Sequence, residues 1–338
     1  MKRIISVFIT VAMIAGIFSG CGNSGNIKSS SASDGGSYKW RMALNSTPGD
    51  NAYDVGALFA EKIGELSDGQ IKVELYGGAS LGSTSEVLEG MSDGVADVCV
   101  EAIGALAALE RKANIDAIPY IYSGYDHFTA VWQGELGKEM LSAIGDGANK
   151  KLLGATYRGP RVVTATKPMS KIDDFAGFKL RTPNLDVYLK TWHWMKATPT
   201  PIAMNEVYTA LQQNTVEGQE NPLTDNLIYG FDETCKYWIR TDHVYSCNTI
   251  IMDLNYFNSL PADIQAMVEE AATYATIEIS KQQLERDSKA TDKVLAANCE
   301  IIEVDREAFA EYFDGFTEEN FPDLLDWVER IRALDTNQ

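Results

Sequence analysis

The chain has 338 residues, with 48 acidic against 29 basic side chains and a formal net charge of −19. An acidic chain of this kind lacks the basic stripe that marks nucleic-acid binding. Its length leaves room for two domains of ordinary size. No HExxH, CxxC or Cys–His spacing points to a metal, and neither a cofactor nor a nucleic-acid partner is expected.

Lys2 and Arg3 precede an apolar run, residues 4–18. That run falls short of the about 20 residues a membrane span needs and suits the apolar region of a signal peptide. Phe18-Ser19-Gly20-Cys21 follows. It resembles the lipobox of bacterial lipoproteins, with Phe18 where Leu is usual. The resemblance implies that residues 1–20 are removed and that Cys21 is diacylated, giving membrane contact through its lipid. Residues 21–37 are Gly/Ser-rich and read as a flexible tether. Loss of Lys2 and Arg3 leaves 27 basic against 48 acidic residues, a net −21.

From residue 38 strands and helices alternate, the pattern of an α/β sheet covered by helices. WRMAL (40–44) reads as a strand and 52–66 as an amphipathic helix with Val55, Leu58, Phe59 and Ile63 on one face. IKVELY, a short helix in SEVLEGMSDG, and the strand ADVCVEA follow. IDAIPYIYSG, KLLGATY and RVVTATK read as three more strands, with a helix over 126–149 after the first. A short strand ends at Pro183, and helices are expected at 185–196 and 205–213. In EVYTALQQNTVEGQENPL the apolar helix face stops at Gln213, and the polar run that follows reads as a loop. VYSCNTIIMDL is a strand. Residues 262–297 contain no Pro or Gly and read as one helix, about 50 Å long at 1.5 Å per residue. EIIEV is a late strand, and the tail carries two amphipathic helices.

Chemistry-bearing clusters are sparse. His127, His193 and His243 stand apart from any nucleophile, and His193 between Trp192 and Trp194 reads as a packing or rim residue. Glu217 and Glu220 could be an acid–base pair as in glycosidases, but charge on a solvated turn is the better reading. Four cysteines remain after Cys21. Cys99, in an apolar run, reads as a buried free thiol, and the pairing of Cys235, Cys247 and Cys299 is left open. Arg161 and Arg181 each sit at the edge of an apolar strand, as a solvated strand end or as a planar donor fork turned into a cleft. Such a fork suits a carboxylate.

GPRVVTATKPM, DDFAGFKLRTPN, TPTPIAMNEVYTALQQNTVEGQENP, KYWIRTDHVYS and FNSLPADIQAMVEEAA stand in the order and spacing of the DctP-like solute-binding proteins of tripartite ATP-independent periplasmic (TRAP) transporters. The chain resembles that family over nearly its whole exported length. The resemblance implies a two-lobed periplasmic-binding-protein-like α/β fold, each lobe a mixed sheet flanked by helices, with the long helix crossing both. Lobe I would comprise 38–158 and 247–286, and lobe II 159–246 and 287–338. It also implies an extracytoplasmic monomer that does no chemistry and delivers a small organic acid to TRAP membrane permease subunits. Arg181 would bind the ligand carboxylate, with Asn221, Arg161 and Met204 beside it. Asn45 and Glu101 would serve ligand hydroxyls from the opposite lobe. A carboxylate at Glu101 favours a hydroxylated sugar acid (a uronate, an aldonate or a sialic acid) over a C4-dicarboxylate. Lys196 stands where relatives carry Gly.

Overall fold

The structure is a computed structural model that describes residues 37–335. The expected signal peptide, Cys21 and nearly all of the tether lie outside the described residues. Ten strands form the frame: β1 (Tyr38–Leu44), β2 (Ile71–Tyr76), β3 (Val98–Ala102), β4 (Lys150–Ala165), β5 (Lys179–Thr182), β6 (Thr198–Pro201), β7 (Gly218–Pro222), β8 (Tyr237–Arg240), β9 (Tyr245–Asp253) and β10 (Glu300–Glu303). Their order is β2-β1-β3-β9-β4-β7-β5-β6, with β8 on β4 and β10 on β8.

β1 runs parallel to β2 and β3, while β9 returns antiparallel between β3 and β4. Asp50 caps the helix Asn51–Leu66 by accepting from the Ala52 amide at 2.9 Å. Val55, Phe59 and Ile63 of that helix pack with Trp40, Met42 and Ile71 of the strands beneath. The second half-sheet places β7 between β4 and β5, antiparallel to one and parallel to the other.

β4 is where the two half-sheets meet, and here the structure corrects the sequence reading. KLLGATY and RVVTATK are not two strands but one of 16 residues. Its first part pairs with β9; Arg161–Ala165 pairs with β7 and Val163–Ala165 with β8. The pairing with β9 slips twice, around Gly154 (φ 72°) and Gly159 (φ 89°). A Cβ at Gly154 would stand 2.5 Å from Thr276 Oγ1, and one at Gly159 2.7 Å from Asp287 Oδ2. Both neighbours belong to the long helix, so these glycines let the strand bulge beneath it.

The long helix is Ala262–Ala296. Ile264, Val268, Ala271, Ala275 and Ile279 cover the first half-sheet, while Ala290 and Val294 pack with Val162, Leu223 and Trp238 of the second. Its buried middle is polar: Ser280 Oγ accepts from the Tyr157 amide at 3.0 Å. One helix therefore serves two cores and is tied to the crossing strand between them.

Other expectations are revised. IDAIPYIYSG is no strand; a 3-10 helix, Arg111–Ala117, leads into a turn at Pro119 and Tyr120, where the half-buried Tyr120 is left-handed at φ 58° and its amide bonds the His243 carbonyl at 2.8 Å. A short apolar run gives no period to separate these cases. The helix expected over 126–149 is two, Tyr125–Trp132 and Glu135–Ala148. Among the described residues the tail holds three α-helices, Arg306–Tyr312, Phe316–Asn320 and Leu325–Arg332, with a 3-10 turn at Pro322–Leu324 leading into the last. The last reaches back to the first half-sheet side, where Trp327 and Arg330 bond Glu139 and the Ile331 carbonyl meets His127 Nε2 at 2.8 Å. Cys99, Cys235, Cys247 and Cys299 are all buried free thiols.

The bulky run at 192–194 has a packing explanation. Trp192 is fully buried against Phe175 and His243. Trp194 donates to the Tyr312 carbonyl at 2.8 Å and packs edge-on against Phe316, while His193 is exposed. Lys196 closes this helix, Asp186–Trp194, in the left-handed region at φ 61°. A side chain there costs about 1–2 kcal/mol, more than the extra unfolded-state freedom of Gly. Lys196→Gly is expected to raise stability by about 0.5–1 kcal/mol. Equal or lower stability in equilibrium urea unfolding would contradict this account of the turn.

Candidate functional site

β5 carries Arg181. The strand is hydrogen-bonded on both edges, by β6 and β7, and its Leu180 is fully buried, which fixes the backbone that presents the guanidinium. Arg181 is only 3% exposed. Its Nε donates to the Ile202 carbonyl at 2.8 Å, and neither Nη atom has an acceptor among the described residues. Burial pulls its pKa down from 12.5 to about 10, with Glu220 offsetting part of that and Arg161 adding to it. A buried guanidinium with an open fork is what an incoming carboxylate needs.

Arg161 lies in the same group but is differently engaged. Nε and Nη2 grip both carboxylate oxygens of Glu220, at 2.5 and 2.9 Å, and Nη2 also reaches Asn221 Oδ1 at 2.9 Å. The guanidinium lies over the Tyr188 ring, 5.0 Å from its centre. Only Nη1 has no partner among the described residues, so Arg161 offers no second open fork. Glu220 is fully buried, which overturns its reading as charge on a solvated turn. Burial would raise its carboxyl, but Arg161 and the His243 hydrogen bond outweigh it and hold the pKa at about 2. His243 Nε2 stands 3.3 Å from Glu220 Oε2, and its Nδ1 pairs with Thr241 Oγ1 at 2.8 Å. Glu217, by contrast, is partly exposed and pairs with Lys167 at 3.7 Å.

The polar run read as a loop is thus a strand, β7, buried at every position. Gln219 donates to Thr164 Oγ1 and Asn226 Oδ1, at 2.7 and 2.8 Å. Asn221 Nδ2 donates to Gln219 Oε1 at 2.7 Å and lies 3.9 Å from Met204 Sδ. Met204 is half-buried. Each amide has a protein partner, which makes burial of so polar a strand affordable.

A second polar group forms where β1 and β3 end beside the helix Thr84–Gly90. Asn45 Nδ2 and Thr84 Oγ1 both donate to Glu101 Oε1, at 2.6 and 3.1 Å. Burial raises the Glu101 carboxyl to about 7, against the pull of those two bonds and of Arg158. The carboxyl ends of parallel strands are the usual place for ligands in open α/β sheets. Arg158 on β4 stands between the two groups. It donates to Asp225 at 3.0 Å and feels the charges of both Arg161 and Asp50.

This arrangement combines one open donor fork with two arginines already neutralised. Residues 42–321 match the profile of Bacterial extracellular solute-binding protein, family 7 (DctP). The chain belongs to this family. Among its members, the sialic acid-binding periplasmic protein SiaP of Vibrio cholerae is 28% identical over 292 residues, 85% of this chain and 91% of that protein. The C4-dicarboxylate-binding periplasmic protein DctP of Rhodobacter capsulatus is 27% identical over 281 residues, 82% of each. A crystal structure of a TRAP periplasmic solute-binding protein from Roseobacter denitrificans with bound L-galactonate has a TM-score of 0.82 at 27% identity, covering 88% of this chain and 99% of that one. The family is one of solute-binding proteins whose relatives are periplasmic, and the fold is two-lobed.

Of the residues expected from sequence, Arg181, Arg161, Asn221 and Met204 come together, and Asn45 and Glu101 form the second group. Sequence reasoning missed Thr84, Arg158, Tyr188, Asp225 and His243. None lies in a cluster along the chain, so only His243, inside the KYWIRTDHVYS block, carried any signal. A cavity of about 530 Å³ elsewhere, lined by Trp132, Leu141, Lys150, Leu152 and Thr276, includes none of these site residues.

Proposed function

We propose that this protein is the extracytoplasmic receptor of a TRAP transporter and that it captures a monocarboxylate sugar acid, such as a uronate, an aldonate or a sialic acid. It closes its lobes on the ligand, performs no chemistry and hands the ligand to the membrane permease. The observation that carries this reading is the buried Arg181 with both Nη atoms unengaged. Arg161 and Arg158 have carboxylate partners of their own, Glu220 and Asp225, so neither of these two arginines is open to a second ligand carboxylate. Glu101, with Asn45 and Thr84, supplies donors and acceptors for hydroxyls, and an unpaired buried hydroxyl would cost about 1–3 kcal/mol. The galactonate and sialic acid bound by relatives support the same class. The two half-sheets support dividing the lobes at 38–158 plus 247–286 and 159–246 plus 287–338.

A thermal-shift panel tests the ligand class. A uronate, aldonate or sialic acid at 100 times its Kd is expected to stabilise the fold by about 2.7 kcal/mol. A melt raised by malate, succinate or fumarate, with every sugar acid silent, would replace this reading with a C4-dicarboxylate receptor.

No helix among the described residues is long and apolar enough to cross a membrane. We place the protein at the membrane surface through two acyl chains on Cys21, since one chain alone binds only marginally. Cys21→Ser is expected to move the protein to the soluble fraction. Identical fractionation of mutant and wild type would remove the anchor.

A further inference from the structure

The helix Leu223–Ile228 begins where β7 ends, directly after Asn221 and Pro222, and it reaches three other elements. Thr224 Oγ1 accepts from Gln283 of the long helix at 2.8 Å. Asp225 takes Arg158 of β4 at 3.0 Å. One helical turn on, the Tyr229 hydroxyl donates to Asp50 Oδ2 at 3.0 Å. Asp50 begins the helix Asn51–Leu66, on the loop that follows β1 and Asn45. The neighbouring Asn51 donates to Gln283 Oε1 at 3.2 Å and to the Tyr157 carbonyl at 3.0 Å, and accepts from Asn248 Nδ2 at 2.9 Å. The segment that carries Asn221 is therefore bonded to the segment that carries Asn45.

The links differ in how they are held. Asn51, Asp225, Asn248 and Gln283 are each at most 2% exposed, and Asn51 and Gln283 each make three bonds. Tyr229 is half-buried and its hydroxyl makes one bond. Asp50 keeps its cap on Ala52 through Oδ1 whether or not Oδ2 is engaged. The Tyr229–Asp50 bond is the member of the network that breaks at least cost to the rest.

We propose that Tyr229 and Asp50 form a clasp that sets how long the cleft stays shut on its ligand, a role resting on the receptor reading above. They are positioning residues: neither needs to touch the ligand.

The test uses Tyr229→Phe, which removes only the hydroxyl and keeps the stacking on Phe231, and Asp50→Ser, which keeps a helix cap but cannot span to Tyr229. With L-galactonate as probe in stopped-flow tryptophan fluorescence, each variant is expected to release ligand about 10-fold faster, the scale of one lost hydrogen bond. Association should stay within about two-fold of wild type, because mutations at one interface act mainly on release. The double variant should release no faster than either single one, since both remove the same bond. Asp50→Asn, whose amide can donate back to the Tyr229 oxygen, should restore slow release. Release rates equal to wild type, or additive effects in the double variant, would overturn the clasp. A second arm needs no ligand. In the ligand-free protein, amide exchange at residues 52–54 and 225–229 should quicken together in either single variant. Unchanged exchange there overturns the clasp even if wild type binds none of the acids, an outcome that would by itself overturn the receptor reading instead.

Discussion

Arg181→Ala is expected to abolish ligand capture while leaving the ligand-free protein as stable as wild type or more so. The two effects come from one feature. In the ligand-free state Arg181 is a buried cation whose burial holds its pKa at about 10, and whose Nη atoms have no acceptor among the described residues. Removing such a group relieves an uncompensated desolvation. With ligand present the same fork supplies the charge-assisted bonds to the carboxylate, and its loss strands that charge, at a cost of about 2–5 kcal/mol or more. Arg181→Lys should bind nearly as badly, because a point charge cannot replace two parallel donors. Calorimetry and thermal melts on both variants check this. Near-normal affinity in Arg181→Lys would remove the bidentate geometry, and a collapsed ligand-free melt in Arg181→Ala would show that the guanidinium serves the fold.

Glu220→Ala should behave in the opposite way, unfolding the protein before it informs on binding. Arg161 would be left buried and unpaired, a loss of about 3–5 kcal/mol. Glu220→Gln keeps shape and one acceptor and should lose less. The pH dependence follows from the sign of the shift. The Glu220 carboxyl titrates near 2 in the fold, below its ordinary value of 4.5. Its contribution is therefore complete above the unfolded pKa and disappears as pH falls from about 4 towards 2, amounting to about 3 kcal/mol. Burial raises the carboxyls of Asp50, Glu101 and Asp287 to about 7, so their contributions are lost instead as pH rises towards and through 7. The difference between wild type and Glu220→Gln isolates the acid limb. Urea unfolding should show a gap that is constant above about pH 5 and closes below pH 4. A gap that does not change with pH would mean that Glu220 is not held ionised by Arg161.

The sequence by itself determined the local elements and the family. The helix Ala262–Ala296 was legible because 35 residues without Pro or Gly have few other ways to satisfy their backbone. β1, β2, β3 and β9 were legible because β-branched and apolar residues recur between turn signals. Arg181 and Asn221 were legible because they sit in distinctive ordered blocks, KLRTP and VEGQENP. Tertiary structure decided what those signals cannot carry. GQENP is a buried strand only because its polar groups are satisfied, by Arg161 and Thr164 from β4, by Asn226 in the helix that follows and by the bond from Asn221 to Gln219 within the strand. KLLGATY and RVVTATK are one strand because the bulges at Gly154 and Gly159 let it pass under a helix more than 100 residues later. Arg161 and Arg181 look alike in sequence, each an arginine at a strand edge. What separates them is Glu220, placed by the packing of β7 on β4 within bonding distance of one and not of the other, because charge pairing depends on separation in space and not along the chain.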